Sequence, residues 1–364
     1  MSLQCGIVGL PNVGKSTIFN ALTANEIAAE NYPFCTIEPN TGIVAVPDER
    51  LATLAAISKS EKIVPTAVEF VDIAGLVRGA SRGEGLGNQF LAHIREVDAI
   101  AHVVRCFADD NVVHVEGGVD PLRDVETIET ELGLADLETL EKRLDRARKG
   151  SKSGDKEMKA AADFLEALYR HVGEGRPART FDVPREQAAA FRDCHLLTAK
   201  PILYVANVDE AGLAEGNEWS EALAKRAEEQ GAGTVRLCGK IEAELAALDE
   251  DERREFLTEL GVAEPGLHRL IHAAYVLLGL VTFLTTGPKE TRAWTVRRGT
   301  AAPAAAGTIH SDFERSFIRA EVTSFDDFVA AGGEVQAKAQ GKTRIEGKDY
   351  VLRDGDVVHF RTGA

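Results

Sequence analysis

Residues 9–17 read GLPNVGKST and satisfy G-x-x-x-x-G-K-[ST] through Gly9, Gly14, Lys15 and Ser16. This spacing suits the grip of a polyphosphate. Glycines let the backbone wrap and aim its N–H groups at phosphate oxygens, and the start of a helix adds partial positive charge. The expected phosphate-holding stretch is Asn12, Val13, Gly14, Lys15, Ser16 and Thr17. Lys15 is placed to reach the β- and γ-phosphates and to act in catalysis, and the Ser16 hydroxyl to ligate Mg²⁺. Asn12 has two readings, a turn former or a ligand for a monovalent cation such as K⁺.

Two further segments belong to the same chemistry. In TAVEFVDIAG (66–75) an apolar strand ends at Asp72, and Gly75 follows three residues later. Asp-x-x-Gly after such a strand sets a carboxylate beside Mg²⁺ and a backbone N–H beside the γ-phosphate. Upstream, Thr36 in YPFCTIEPNTG is placed to be a second hydroxyl on the metal. The metal set is therefore Ser16, Thr36 and Asp72. The residue after Gly75 is Leu76, which cannot hold an attacking water, so intrinsic turnover is expected to be slow, below roughly one per second. His114, in NVVHVEGG, is a candidate for positioning that water, whereas His102, in AIAHVVRCF, reads as structural.

The elements that must position these residues are legible around them. Cys5–Val8 can form a short buried strand, and Thr17–Leu22 has helical spacing. PILYVANVDE (201–210) is a strand that ends in Asn207, Val208, Asp209 and Glu210. A guanine reader carries Asn-Lys-x-Asp at such a strand end. Here Val208 stands in place of the lysine and leaves an apolar face for stacking, and Glu210 stands in place of the aspartate. Asn207 can pair with adenine N6 and N7. These residues are the expected base contacts.

TIETELGLADLETLEKRLDRARKG and KEMKAAADFLEALYRHV carry apolar residues at helical spacing around a polar tip. They read as an inserted helical hairpin. Lys142, Arg143, Arg146, Arg148, Lys149, Lys152, Lys156 and Lys159 gather toward that tip, as either a phosphate-backbone contact or a solvated face.

The bulk numbers set limits. The chain has 364 residues, 44% hydrophobic and 27% charged, enough for two or three domains. Its formal net charge of −16 argues against a protein that coats nucleic acid nonspecifically. Five scattered cysteines without metal-ligand spacing predict reduced, cytosolic thiols. No secretory signal or membrane-length apolar stretch is evident, so a cytoplasmic protein without a membrane partner is expected.

Taken in order, GLPNVGKST, YPFCTIEPN, DIAGLVRGASRGEGLGNQFL, NVVHVEGGVDP, NVDE and RAWTVRRGTAAPAAAGTIHSDFERSFIRAEV resemble the YchF/Obg-like ATPase family across essentially the whole chain. The resemblance implies a translation-factor-related P-loop NTPase that prefers ATP to GTP and associates with ribosomes, through the large subunit or the 70S particle. Asn207 and Glu210 match the family's Asn-x-x-Glu, and Leu76 matches its apolar residue after Asp-x-x-Gly. Cys238-Gly239-Lys240 departs from the Ser-Ala or Cys-Ala start of the last base loop. The C-terminal segment resembles the small β-grasp TGS domain, a module associated with RNA or ribosome contacts. Arg292, Arg297 and Arg298 are candidate rRNA contacts, and Trp294 is either one of these or core.

The expected fold is α/β: a Ras-like P-loop NTPase domain with an inserted α-helical hairpin and a C-terminal TGS domain. The expected boundaries are 1–123 and 196–278 for the nucleotide domain, 124–195 for the insert and 279–364 for the TGS domain. The expected activity is slow hydrolysis of ATP with Mg²⁺, used as a conformational switch. The alternatives are an Obg-like GTPase and a ribosome-binding adaptor that uses nucleotide only as a latch.

Overall fold

The computed structural model describes residues 3–24, 40–75, 86–109, 112, 117–151 and 156–363. Thr36, Leu76, His114, Cys35 and Lys152, all singled out above, lie outside the described residues. The chain divides into two compact units. One holds residues 1–43 and 69–274, and the other holds 44–68 and 275–364.

The first unit is built on a six-stranded sheet of order β2-β4-β1-β5-β6-β7. Its strands are β1 (Gln4–Val8), β2 (Thr41–Ala45), β4 (Ala67–Asp72), β5 (Ala99–Cys106), β6 (Ile202–Val208) and β7 (Gly233–Leu237). The contacts β1/β4, β1/β5, β5/β6 and β6/β7 are all parallel. A parallel sheet covered on both faces needs strands that are apolar throughout. Every residue of β5 and β6 is buried, and the polar exceptions to that rule in them are His102, Arg105 and Asn207. The register pairs Ile7 with Asp72, Val8 with His102, and Cys106 with Val208. The carboxyl ends of β4, β1, β5 and β6 thus meet at one edge, where open α/β sheets bind their ligands.

Helices α1 (Lys15–Thr23), α3 (Leu86–Glu96), α8 (Glu218–Glu229), α9 (Gly239–Leu245), α10 (Glu250–Glu259) and α11 (Gly266–Leu277) complete this unit together with two short ones, α6 (Ala188–Asp193) and α7 (Gly212–Glu215). The insert is a hairpin of α4 (Pro121–Ser151) and α5 (Lys156–Gly173). Leu140, Leu144 and Ala147 form a stripe on α4 that packs with Ala162, Leu165, Leu168 and Val172 of α5. The buried carboxylate of Asp136 accepts from Leu197 N (2.7 Å), Thr198 N (2.8 Å) and Thr198 Oγ1 (2.6 Å), which ties α4 to the approach to β6.

The second unit has its own six-stranded sheet, of order β11-β10-β12-β8-β9-β3. Its members are β3 (Lys62–Val64), β8 (Leu280–Thr286), β9 (Glu290–Arg297), β10 (Phe317–Ser324), β11 (Arg344–Glu346) and β12 (Asp356–Thr362). One apolar cluster on this sheet contains Phe283, Val322 and Phe360 with Ala302, Ala305 and Ala306 of α12 (Ala302–Ile309), which α13 (Ser311–Arg315) follows. Another joins Leu284, Ala293 and Val357 to Leu51 and Leu54 of α2 (Glu49–Ser58) and to Phe328 of α14 (Phe325–Ala331), the neighbour of α15 (Glu334–Ala339). The early segment 44–68 thus supplies α2 and the edge strand β3, which pairs in parallel with β9. Trp294 takes the core alternative. It packs against the first cluster, its Nε1 donates to Thr285 Oγ1 (2.9 Å), and the Arg292 guanidinium sits 4.2 Å from its ring centroid. Arg297 and Arg298 are exposed.

Candidate functional site

The phosphate loop connects β1 to α1. Gly14 caps α1 with φ 88° and ψ 12°, a left-handed conformation that glycine adopts without strain. A Cβ there would also lie 2.2 Å from Asn207 Nδ2, so only glycine fits. Gly9 is confined for a different reason. A Cβ on it would come within 2.7 Å of the Val103 carbonyl oxygen on the neighbouring strand. Asn12 also has positive φ, 63°, a conformation that Asn tolerates in turns.

A cleft of about 1380 Å³ opens at the sheet edge. Asn12, Gly14, Lys15, Ser16 and Thr17 line it from the loop, and Asp72 and Gly75 from the end of β4. Val208 and Glu210 line it from the end of β6, and Cys238, Gly239 and Lys240 from the start of α9. The structure therefore gathers the described phosphate, metal and base candidates around one space, except for the Val13 side chain, which is 1% exposed and does not line it. The Lys15 ammonium forms an ion pair with the Asp72 carboxylate inside it.

Three base candidates take more specific places than their residue types suggest. Asn207 is 4% exposed. Its Nδ2 donates to Val13 O (2.8 Å), and its Oδ1 accepts from Gly239 N (2.9 Å). The amide thus braces the phosphate loop against the base loop, and Asn207 also lines the cleft. Val208 is 2% exposed and lines the cleft. Glu210 is exposed at the rim, and Asp209 Oδ1 closes the turn by accepting from Gly212 N (2.9 Å).

His102 is structural, as expected. It is 1% exposed on β5, and its ring lies 5.6 Å from that of Tyr204. Burial holds its pKa down at about 4, with Glu129 pulling upward and Arg179 downward. Glu129 on α4 accepts from Arg179 (2.6 Å) and from the Tyr204 hydroxyl (3.0 Å), which fastens the insert to the back of the sheet. The described cysteines are buried and free, and burial pushes the Cys5 and Cys106 thiols up to about 12.

Sequence reasoning passed over Arg105 and the loop after it. Phe107, Ala108, Asp109 and Val112 also line the cleft. The signal was present, because a guanidinium in the otherwise apolar run AIAHVVRCF is anomalous in a strand buried on both faces.

Comparison with known proteins places the chain. A family model described as "50S ribosome-binding GTPase" matches residues 4–140, and the model YchF-GTPase_C, described as a protein of unknown function, matches residues 280–363. A Pasteurella multocida protein named "Ribosome-binding ATPase YchF" is 54% identical over 361 residues, covering 99% of each chain. A Bacillus subtilis protein of the same name is 54% identical over 363 residues, again with 99% coverage of both. The chain belongs to the YchF family. Among solved structures, that of the Schizosaccharomyces pombe YchF GTPase covers 99% of this chain and 98% of its own, with 39% identity and a TM-score of 0.88. The YchF fold thus accounts for both units, the P-loop NTPase domain of GTPase type and the C-terminal domain. Among the described residues no helix is long and apolar enough to cross a membrane.

Proposed function

We propose that the chain is a ribosome-binding, Mg²⁺-dependent ATPase that hydrolyses ATP slowly, prefers it to GTP and uses it as a conformational switch. The observation that carries this reading is the cleft itself, where Lys15, Ser16 and Asp72 converge and the strand end reads Asn-Val-Asp-Glu. A guanine reader presents an aspartate to the N1–H and 2-amino donors of the base. Glu210 is one methylene longer and stands exposed at the rim, and no lysine stem lies along the base. A site without that carboxylate grip discriminates less than one built on it, so modest ATP selectivity is the outcome. The names of the Pasteurella and Bacillus relatives support the ATPase and ribosome readings.

The Ser16 hydroxyl and the Asp72 carboxylate are hard oxygen donors on one cleft and fit Mg²⁺, with Thr36 proposed as a third. When bound, the metal would neutralise charge on the β- and γ-phosphates. Lys15 exchanges its partner Asp72 for those phosphates, and the loop amides hold their oxygens. Leu76 leaves the water without a side-chain acceptor at that position, which keeps turnover slow, and His114 is the proposed positioning group. Asn12 is the proposed K⁺ contact, tested by comparing rates in K⁺ and Na⁺. Arg146, Arg148, Lys149, Lys156 and Lys159 are exposed on the insert and, with Arg297 and Arg298, are the proposed rRNA contacts of a cytoplasmic protein.

A competition titration of ATP and GTP against a fluorescent nucleotide tests the reading. ATP binding more tightly supports it. Equal or tighter GTP binding supports the GTPase alternative, in keeping with the name of the fission-yeast protein. Turnover measured with and without ribosomes separates an enzyme from an adaptor that uses nucleotide only as a latch.

A further inference from the structure

Arg105 is the penultimate residue of β5, is 2% exposed and pairs in register with Asn207 on β6. Its guanidinium turns to the loop that follows. Nε donates to Phe107 O (3.1 Å), Nη2 to Asp109 O (3.2 Å) and Nη1 to Val112 O (2.9 Å). The guanidinium carbon lies 4.6 Å from the Phe107 ring centroid. The same loop is caught at its root by Asn217, whose Nδ2 donates to Cys106 O (2.7 Å).

Burying a guanidinium is costly, and here the described partners are backbone carbonyls and one aromatic ring. The planar fork fixes three carbonyl positions at once, which an ammonium cannot do with the same geometry. The loop it fixes is a wall of the cleft. Pairing of Val8 with His102 brings β5 alongside β1, so the residues after Cys106 emerge beside those after Val8. Phe107, Ala108, Asp109 and Val112 then share the cleft with Leu10, Pro11, Asn12 and Gly75.

We propose that Arg105 is a positioning residue for nucleotide hydrolysis, holding Phe107, Ala108, Asp109 and Val112 in place as a wall of the cleft. The proposal rests on reading that cleft as a nucleoside-triphosphatase site. It predicts an effect on the hydrolytic step rather than on affinity. Affinity depends on Lys15, the loop amides and the Asn207 bridges to Val13 and Gly239, and none of these bonds involves Arg105.

The test compares Arg105→Met and Arg105→Lys with the parent full-length chain. It uses fluorescent-nucleotide titration for affinity and single-turnover hydrolysis for the chemical step. Arg105→Met is expected to slow hydrolysis at least about tenfold while affinity stays within about threefold, with Arg105→Lys in between. If Arg105→Met does not fold, Arg105→Lys decides by the same split. Hydrolysis equal to the parent's overturns the proposal, as does a fall of affinity in step with rate, which marks a merely structural residue. A parent that hydrolyses neither ATP nor GTP would bring down the proposed function as well. An active parent with equally active variants removes only the role of Arg105.

Discussion

The Lys15 ammonium rests on the Asp72 carboxylate, joining the phosphate loop to the end of β4. Both side chains are largely shielded, at 10% and 18% exposure. The pair keeps the cation inside the cleft, and on the proposed reading an arriving triphosphate would exchange one anionic partner of Lys15 for another. Lys15→Ala is expected to lower ATP hydrolysis by at least about 100-fold, the scale for losing an electrostatic contact to a developing charge. A coupled phosphate-release assay checks this, and a variant that splits ATP like the parent would refute the site.

Asn207 offers a sharper separation of roles. If its amide braces two loops, Asn207→Ala leaves Val13 O and Gly239 N without their partner and costs about 1–3 kcal/mol of stability. ATP and GTP affinities should then fall together. Were the amide a base reader, the ratio of the two affinities would change instead. Isothermal titration with each nucleotide, alongside thermal melts, distinguishes these results.

His102 gives the fold a pH dependence with a defined sign. Its pKa in the folded chain, about 4, lies below the 6.5 of an unperturbed histidine, because burial disfavours the charged ring. Between these values the unfolded chain binds more protons, so stability is complete above about pH 6.5 and declines as pH falls toward 4. The loss is roughly 3 kcal/mol across that window. His102→Leu should flatten the decline in urea midpoints between pH 6.5 and 4. His171 and His268, also held down by burial, leave a residual slope. A variant with the parent's full slope would contradict this assignment.

The insert makes an electrostatic prediction. Arg146, Lys149 and Lys156 are exposed near the hairpin tip. Changing all three to glutamate should weaken ribosome co-sedimentation and flatten its salt dependence, since each lost phosphate contact lowers the slope by about one. Hydrolysis by the isolated chain should stay unchanged. Co-sedimentation equal to the parent's at several salt concentrations would mark the tip as a solvated face.

What the sequence made legible followed from how local each constraint is. Gly9, Gly14, Lys15 and Ser16 could be read directly, because close approach, left-handed backbone and helix start lie within one short loop. The helical hairpin was legible from the periodicity that aligns Leu140, Leu144 and Ala147. The brace formed by Asn207 was not, since it depends on Val13, 194 positions away in the chain. The place of residues 44–68 was equally hidden. Their helix and strand look ordinary in isolation, and it is the pairing of β3 with β9 and the packing of Leu51 and Leu54 on Leu284 and Val357 that assign them to the other sheet. Arg105 stood out as an anomaly in its strand, but its meaning lay in three carbonyls that no pattern of residue types reveals.

The excursion of residues 44–68 sets an order for biosynthesis. α2 and β3 leave the translating ribosome more than two hundred residues before β8 and β9 exist to receive them. During that interval Leu51 and Leu54 lack the apolar face that they cover in the folded chain. A fragment beginning at Tyr275 has the converse defect, a bare edge at β9 and an uncapped apolar face around Leu284, and should associate with itself unless residues 44–68 are supplied in trans.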